Sequence, residues 1–263
     1  MPMAKFTRIN GRVLHFLFRP GNGHLPIVFV NSLGTDFRIW DEVIERLPED
    51  ATTLQYDKSG HGLSEEGAVT ISDHAADLAA LMDTLGLAQA LVCGVSVGGM
   101  IALALSSARP DLTIGLFLSN TGHKIGTYEM WNDRIKAVNE LGLEAMADDL
   151  LERWFSGYFW QNETVQIEGY RMMLSRTPGR GYASVCAAIR DVELANKIAS
   201  INCRTFCLAG SEDKATPPEV VAALADKIPG AMYHTIEGVG HIPAIEAPDT
   251  VAQHIREQMA FLV

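Results

Sequence analysis

A serine set among glycines is the strongest chemical signal in the chain, in Gly94-Val95-Ser96-Val97-Gly98-Gly99. The G-x-S-x-G pattern calls for a sharp strand-to-helix turn that presents the serine hydroxyl, with glycines where any side chain would collide. Ala90–Val95 reads as a buried strand before the turn, and Val97–Ala108 as a helix after it, ended by Pro110. A hydroxyl is a weak nucleophile alone, so acyl transfer at Ser96 needs a base. Among eight histidines, His241 stands out in the glycine-rich Gly238-Val239-Gly240-His241-Ile242-Pro243. That loop follows the last expected strand, where open α/β sheets collect their sites. His61, in Asp57-Lys58-Ser59-Gly60-His61-Gly62, is the rival. It precedes the serine, against the Ser…Asp/Glu…His order that goes with this turn, and is read as a structural loop residue.

The imidazole needs a carboxylate to fix its tautomer and stabilise its charged form. Asp213 lies between Ser96 and His241, after Gly210-Ser211-Glu212 and before Thr216-Pro217-Pro218. Glu212 is the neighbouring alternative, and Asp213 is preferred. Two backbone N–H groups must face the oxyanion. Val97, directly after the nucleophile, supplies one. The loop after the third strand, Asn31-Ser32-Leu33-Gly34-Thr35-Asp36, supplies the other, assigned to Leu33 with Ser32 close by.

Three loops meet only if a sheet delivers them to one edge. Strands are expected at Lys5–Ile9 and Arg12–Phe18, joined by the hairpin signal Asn10-Gly11, then at Ile27–Val30, Thr52–Tyr56, Ala90–Val95, Ile114–Ser119, Arg204–Ala209 and Met232–Ile236. Helical spacing covers Arg38–Leu47, Ile71–Leu85 (stopped at Gly86), Val97–Ala108, Pro218–Ile228 and Pro248–Phe261. Strands alternating with helices predict an α/β fold with a mostly parallel, doubly wound sheet. From Gly122 to Arg190 the alternation stops and the pattern is helical, rich in Trp, Met and Arg. This block reads as an inserted helical cap, residues 122–190, on a core made of residues 1–121 and 191–263.

With 48% hydrophobic and 20% charged residues, the chain has the makings of a packed core. A net charge of -11 argues against binding to nucleic acid or to an anionic membrane. No apolar run reaches the ~18 residues of a membrane span. The first residues, Met1 to Arg8, lack the apolar stretch of a secretory leader. Cys93, Cys186, Cys203 and Cys207 show neither a disulfide framework nor zinc spacing, and buried free thiols fit a cytoplasmic protein. No metal site is expected.

With these residues assembled, the chain resembles the α/β-hydrolase superfamily, and within it the 3-oxoadipate enol-lactonases. The narrower likeness rests on Asn31 to Asp36 with Trp40-Asp41, Tyr56-Asp57-Lys58 with Gly60-His61-Gly62-Leu63-Ser64, and Cys93 to Met100. It continues in the cap through Asn120-Thr121, Trp131, Arg134, Arg153-Trp154-Phe155, Gly181-Tyr182-Ala183 and Cys186 to Asp191. The family loop usually reads Arg-Gly-His-Gly, whereas Ser59 stands here in place of the arginine. If that arginine braces the oxyanion loop, this chain braces it differently; if it reads substrate, the substrate differs.

The resemblance implies opening of 3-oxoadipate enol-lactone in aromatic-compound catabolism, with no cofactor. The expected partner is a small-molecule lactone or ester. Other readings on the same scaffold are a carboxylesterase, a carbon–carbon-bond hydrolase and a slow-turnover ligand receptor. Within the cap, Trp131 and Arg134 stand three apart and Arg153 adjoins Trp154. Either pair is expected to set a guanidinium beside an apolar wall, suited to a substrate carboxylate. With Ser32, these four are the candidate substrate-binding residues.

Overall fold

Asn10 and Gly11 both take positive φ, 47° and 84°, and turn a hairpin between β1 (Lys5–Ile9) and β2 (Arg12–Arg19). The computed structural model describes residues 3–22 and 25–262. Met1 and Pro2 of the segment read for a leader, and His24 among the histidines, lie outside it. Beyond the hairpin come β3 (Ile27–Val30), β4 (Thr53–Tyr56), β5 (Ala90–Val95), β6 (Thr113–Ser119), β7 (Arg204–Gly210) and β8 (Met232–Ile236). They form one sheet in the order β1-β2-β4-β3-β5-β6-β7-β8. β1 and β2 pair antiparallel, as do β2 and β4; all other pairs are parallel.

Every residue of β3, β4 and β5 is buried, so both faces of the sheet centre are covered. The helices are α1 (Asp41–Ile44), α2 (Ile71–Thr84), α3 (Val97–Ala108), α4 (Tyr128–Leu151), α5 (Gly157–Asn162), α6 (Thr164–Ser175), α7 (Gly179–Asp191), α8 (Ala195–Ile198), α9 (Pro218–Ala225), α10 (Pro243–Glu246) and α11 (Pro248–Leu262). α4 to α8 fall between β6 and β7, and α4 packs against α6 and α7.

The helix expected over Arg38–Leu47 is broken into a 3₁₀ turn at Phe37–Trp40 and the single turn α1. Tertiary bonds override the periodicity. The Asp57 carboxylate takes the Phe37 N–H at 2.9 Å, and Gln55 Nε2 reaches the Phe37 carbonyl at 3.2 Å and Asp41 at 2.9 Å. These contacts wind the segment tighter than an α-helix.

The strand order reverses at β3, which lies between β4 and β5. Loops leaving β3 and β5 diverge there, at the carboxyl ends of the strands, the place where open α/β sheets gather their sites. The β3, β4, β5, β6, β7 and β8 loops all reach this edge.

Candidate active site

Ser96 leaves β5 at φ 58° and ψ -123°, a conformation that costs a non-glycine residue ~1–3 kcal/mol. The turn tolerates no side chain two positions to either side of Ser96. A Cβ at Gly94 would lie 2.4 Å from the Gly98 carbonyl oxygen, and one at Gly98 would lie 2.2 Å from that of Val30. Backbone bonds hold the strain in place. The Ser96 N–H donates to the Ser119 carbonyl at 3.0 Å, and its own carbonyl accepts the Thr121 hydroxyl at 2.6 Å and the Gly99 N–H at 2.9 Å. Val97 opens α3, so its N–H has no acceptor within the helix.

His241 and Asp213 meet, 2.8 Å apart between Nδ1 and Oδ2, and both are buried. The bond places the Nδ1 proton toward the carboxylate and leaves Nε2 as the basic atom. His241 is fixed further by its N–H on the Trp154 carbonyl, 2.7 Å. The Glu246 carboxylate ties the same loop to the segment after α4, taking the Gly240 N–H at 3.0 Å and the Ser156 hydroxyl at 2.5 Å. Glu212, the alternative acid, instead accepts the Gly157 N–H at 2.8 Å from an exposed position.

The Asp213 carboxylate is fully engaged. Oδ2 also accepts the Thr216 hydroxyl at 2.6 Å and Asn120 Nδ2 at 2.8 Å; Oδ1 accepts the N–H groups of Ala215 and Thr216 at 2.7 and 2.9 Å. Burial pushes this carboxyl up, but His241, Thr216 and Asn120 together outweigh it and hold it below the usual carboxylate range.

On the opposite side, the loop after β3 is clamped by the loop after β4. The Ser32 carbonyl accepts Lys58 Nζ at 2.5 Å and the Thr35 hydroxyl at 2.9 Å; the Gly34 N–H donates to His61 Nε2 at 2.9 Å. His61 is thus an acceptor for backbone. Burial, with Lys58 nearby, holds its pKa well below the ordinary histidine value. Ser59 turns inward, donating to the Glu65 carbonyl at 2.7 Å and accepting the Ala68 N–H at 3.1 Å. The brace on the candidate oxyanion loop is therefore Lys58 with His61.

The cap residues are placed differently from the expectation. Trp131 is buried and its indole N–H bonds the Ile125 carbonyl at 2.6 Å. Trp154 is buried with its ring over Gly34. Neither ring carries a guanidinium; among the described residues those contacts are Arg190 over Tyr128 and Arg204 over Phe261. Arg134 donates instead to the Tyr182 hydroxyl at 3.3 Å. Arg153 bonds the carbonyl of Lys214, next to Asp213, at 3.2 Å. Both arginines are half-buried, and neither forms an ion pair among the described residues.

Three polar residues that the sequence analysis named without a role complete the site. Asn120 takes φ 49° at the end of β6 and aims its amide at Asp213; Thr121 and Thr216 hold Ser96 and Asp213. A polar pair directly after a buried strand was the available signal. A cleft of about 750 Å³, lined by His15, Phe37, Arg38, Tyr170, Met173 and Arg176 among others, includes neither Ser96 nor His241.

A family model for the alpha/beta hydrolase fold matches residues 26–248. A 3-oxoadipate enol-lactonase of Acinetobacter baylyi is 31% identical over 249 residues, 94% of this chain and 93% of the relative. The crystal structure of the enol-lactonase from Burkholderia xenovorans superimposes with a TM-score of 0.93 at 33% identity, covering 96% of this chain and 98% of that one. A karrikin-insensitive 2 receptor of Petunia hybrida is 23% identical over 257 residues, 91% of this chain and 95% of its own. Sheet order, strained serine turn and family match agree, and the chain belongs to the α/β-hydrolase family.

Proposed function

We propose that the protein is a serine hydrolase that opens 3-oxoadipate enol-lactone to 3-oxoadipate through an acyl-enzyme on Ser96. The observation that carries the chemistry is the buried Asp213–His241 pair, tied to the strained serine turn through Asn120 on Asp213 and Thr121 on the Ser96 carbonyl. His241 Nε2 takes the Ser96 proton as Oγ adds to the lactone carbonyl. The Leu33 and Val97 N–H groups receive the oxyanion. Collapse of the tetrahedral intermediate breaks the ring C–O bond and expels an enolate, which takes up the proton held on His241 Nε2 and leaves the imidazole neutral. Water, deprotonated by His241, then adds to the acyl carbon and releases Ser96.

The substrate reading rests on likeness to two enol-lactonases and on the two cap arginines. The chain carries 32 acidic and 21 basic residues, yet Arg134 and Arg153 keep guanidinium donors free of any carboxylate among the described residues. One reaches Tyr182, beside Gly34 of the oxyanion loop, and the other reaches the residue after Asp213. A substrate carboxylate is the partner such half-buried guanidinium groups fit.

The test is a panel of the enol-lactone, a neutral p-nitrophenyl ester and a vinylogous carbon–carbon substrate, compared by kcat/KM. The lactone is expected to lead, with Ser96→Ala losing at least ~10³-fold in kcat. Arg134→Met or Arg153→Met should lower kcat/KM for the lactone by ~1.5–3 kcal/mol while sparing the ester. Equal losses on both substrates, or none, remove the anion pocket. Turnover far below ~1 per second on every substrate favours a receptor.

A further inference from the structure

The Leu33 N–H and the Ser32 carbonyl belong to one peptide unit, and that unit is trans. In a planar trans peptide the two groups point in opposite directions. Whatever holds the Ser32 oxygen therefore aims the Leu33 N–H. The groups on that oxygen are the Lys58 ammonium, fully buried and nearest at 2.5 Å, the Thr35 hydroxyl at 2.9 Å and the Thr35 N–H at 3.4 Å. One residue on, His61 fixes the Gly34 N–H.

We propose that Lys58 is a positioning residue of the oxyanion hole, whose ammonium on the Ser32 carbonyl both aims and polarises the Leu33 N–H. The proposal rests on the hydrolase reading above. A hydroxyl or amide would satisfy a carbonyl without the cost of burying a charge, so an ammonium here signals an electrostatic use. A cation on the carbonyl side withdraws electron density through the peptide and strengthens the opposite N–H as a donor. The gain is largest when the oxyanion forms, so it enters kcat rather than KM.

The groups facing Lys58 come from three elements: Asp57 and His61 on its own loop, Asp36 on the loop after β3, and His74 on α2. Both carboxylates favour the ammonium. Burial keeps His61 well below its usual value and His74 at about 3, so neither adds a charge at neutral pH. Burial outweighs the carboxylates and brings Lys58 down from 10.5 to about 7.

The experiment uses Lys58→Met and Lys58→Gln on a neutral ester, which removes any effect on a substrate carboxylate. At pH 6, Lys58→Met should lose about 10- to 100-fold in kcat with KM within about threefold. Ser96 phosphonylation by a fluorophosphonate should slow in parallel. Wild-type kcat should fall as pH rises through about 7, and this limb should vanish in both variants. Lys58→Gln, a neutral donor, should recover part of the pH 6 loss.

Folding is controlled in the same series. Between pH 7 and 10.5 the unfolded chain binds more protons at Lys58 than the folded one, so wild-type stability rises with pH across that window. Lys58→Met should therefore melt above wild type at pH 6, with the gap closing towards pH 10. If kcat of Lys58→Met stays within about twofold of wild type, if its loss lies in KM, or if the alkaline limb persists, the proposal is overturned. In those cases labelling and turnover at wild-type Ser96 leave the hydrolase reading standing. If wild-type Ser96 is not labelled and Ser96→Ala turns over normally, that reading fails and takes the proposal with it.

Discussion

Two histidine–aspartate pairs in this protein share one bond geometry and differ in everything around it. His241 and Asp213 are 2.8 Å apart through Nδ1 and Oδ2, and so are His15 and Asp57. Both pairs are buried, and His15 and Asp57 line an open cleft. His15, however, sits on β2 with its ring against Phe6 and Phe37, at centroid distances of 4.9 and 5.1 Å. Its partner Asp57 is occupied in folding the neighbouring loops, taking the N–H groups of Phe37 and Leu63 at 2.9 Å each. His241 instead stands on a loop at the carboxyl edge of the sheet, the edge that also carries the serine turn, with Nδ1 held by Asp213 at 2.8 Å and the Thr216 hydroxyl at 3.2 Å. A histidine–aspartate pair is thus a strut on β2, and a candidate base only where strand order places it next to a strained nucleophile.

The same substitution in both histidines gives the widest separation. His241→Gln should reduce kcat on the order of 10⁴- to 10⁶-fold, far beyond what its loss of a buried hydrogen bond does to stability. His15→Gln should leave kcat within about threefold and lower stability by ~1–3 kcal/mol, because a packed ring and a buried hydrogen bond are lost. Kinetics and thermal denaturation of the two purified variants decide this. Equal kinetic losses would erase the distinction between strut and base.

A smaller effect tests why Asp213 is the better carboxylate. Thr216→Val removes the 2.6 Å hydroxyl bond that helps hold Asp213 below the usual carboxylate range. A depressed carboxyl stabilises the fold above its unfolded value and loses that contribution as pH falls through its folded value. With the hydroxyl gone that loss begins at a higher pH, so acid denaturation should shift upward, accompanied by about a tenfold fall in kcat. Acid titration followed by circular dichroism measures the shift; an unchanged midpoint would mean the remaining donors suffice.

The smallest effect belongs to the neighbour. Glu212→Gln should change kcat by less than about twofold, since its carboxylate serves only the exposed Gly157 N–H among the described residues. A loss comparable to that of a triad aspartate would reassign the acid.

Much of this was open to reading from local residue types. Ser96 is marked by glycines two positions away on either side, because a backbone turn that tight excludes side chains whatever lies around it. β3 and β5 announce themselves as continuous apolar runs, because central parallel strands are buried on both faces. Chain order and loop position single out Asp213 and His241 as the candidate acid and base once the serine is placed.

What the tertiary structure decided concerns groups whose meaning depends on a partner far away in sequence. Lys58 carries no assigned role in the sequence, and acquires one only where the loop after β4 meets the loop after β3 and buries it on Ser32. Ser59 in place of an arginine gives no clue that Lys58 and His61 share the bracing. The expected stacking of Arg134 and Arg153 on tryptophans failed because helical spacing fixes which Cβ atoms are neighbours, not where long side chains end. The helix over Arg38–Leu47 shortened for a related reason: Asp57 and Gln55 bond its backbone from another strand's end. Glycine patterns and apolar periodicity are local steric facts that a sequence carries by itself. Hydrogen bonds to buried charges are long-range and directional, and only the packed chain fixes them.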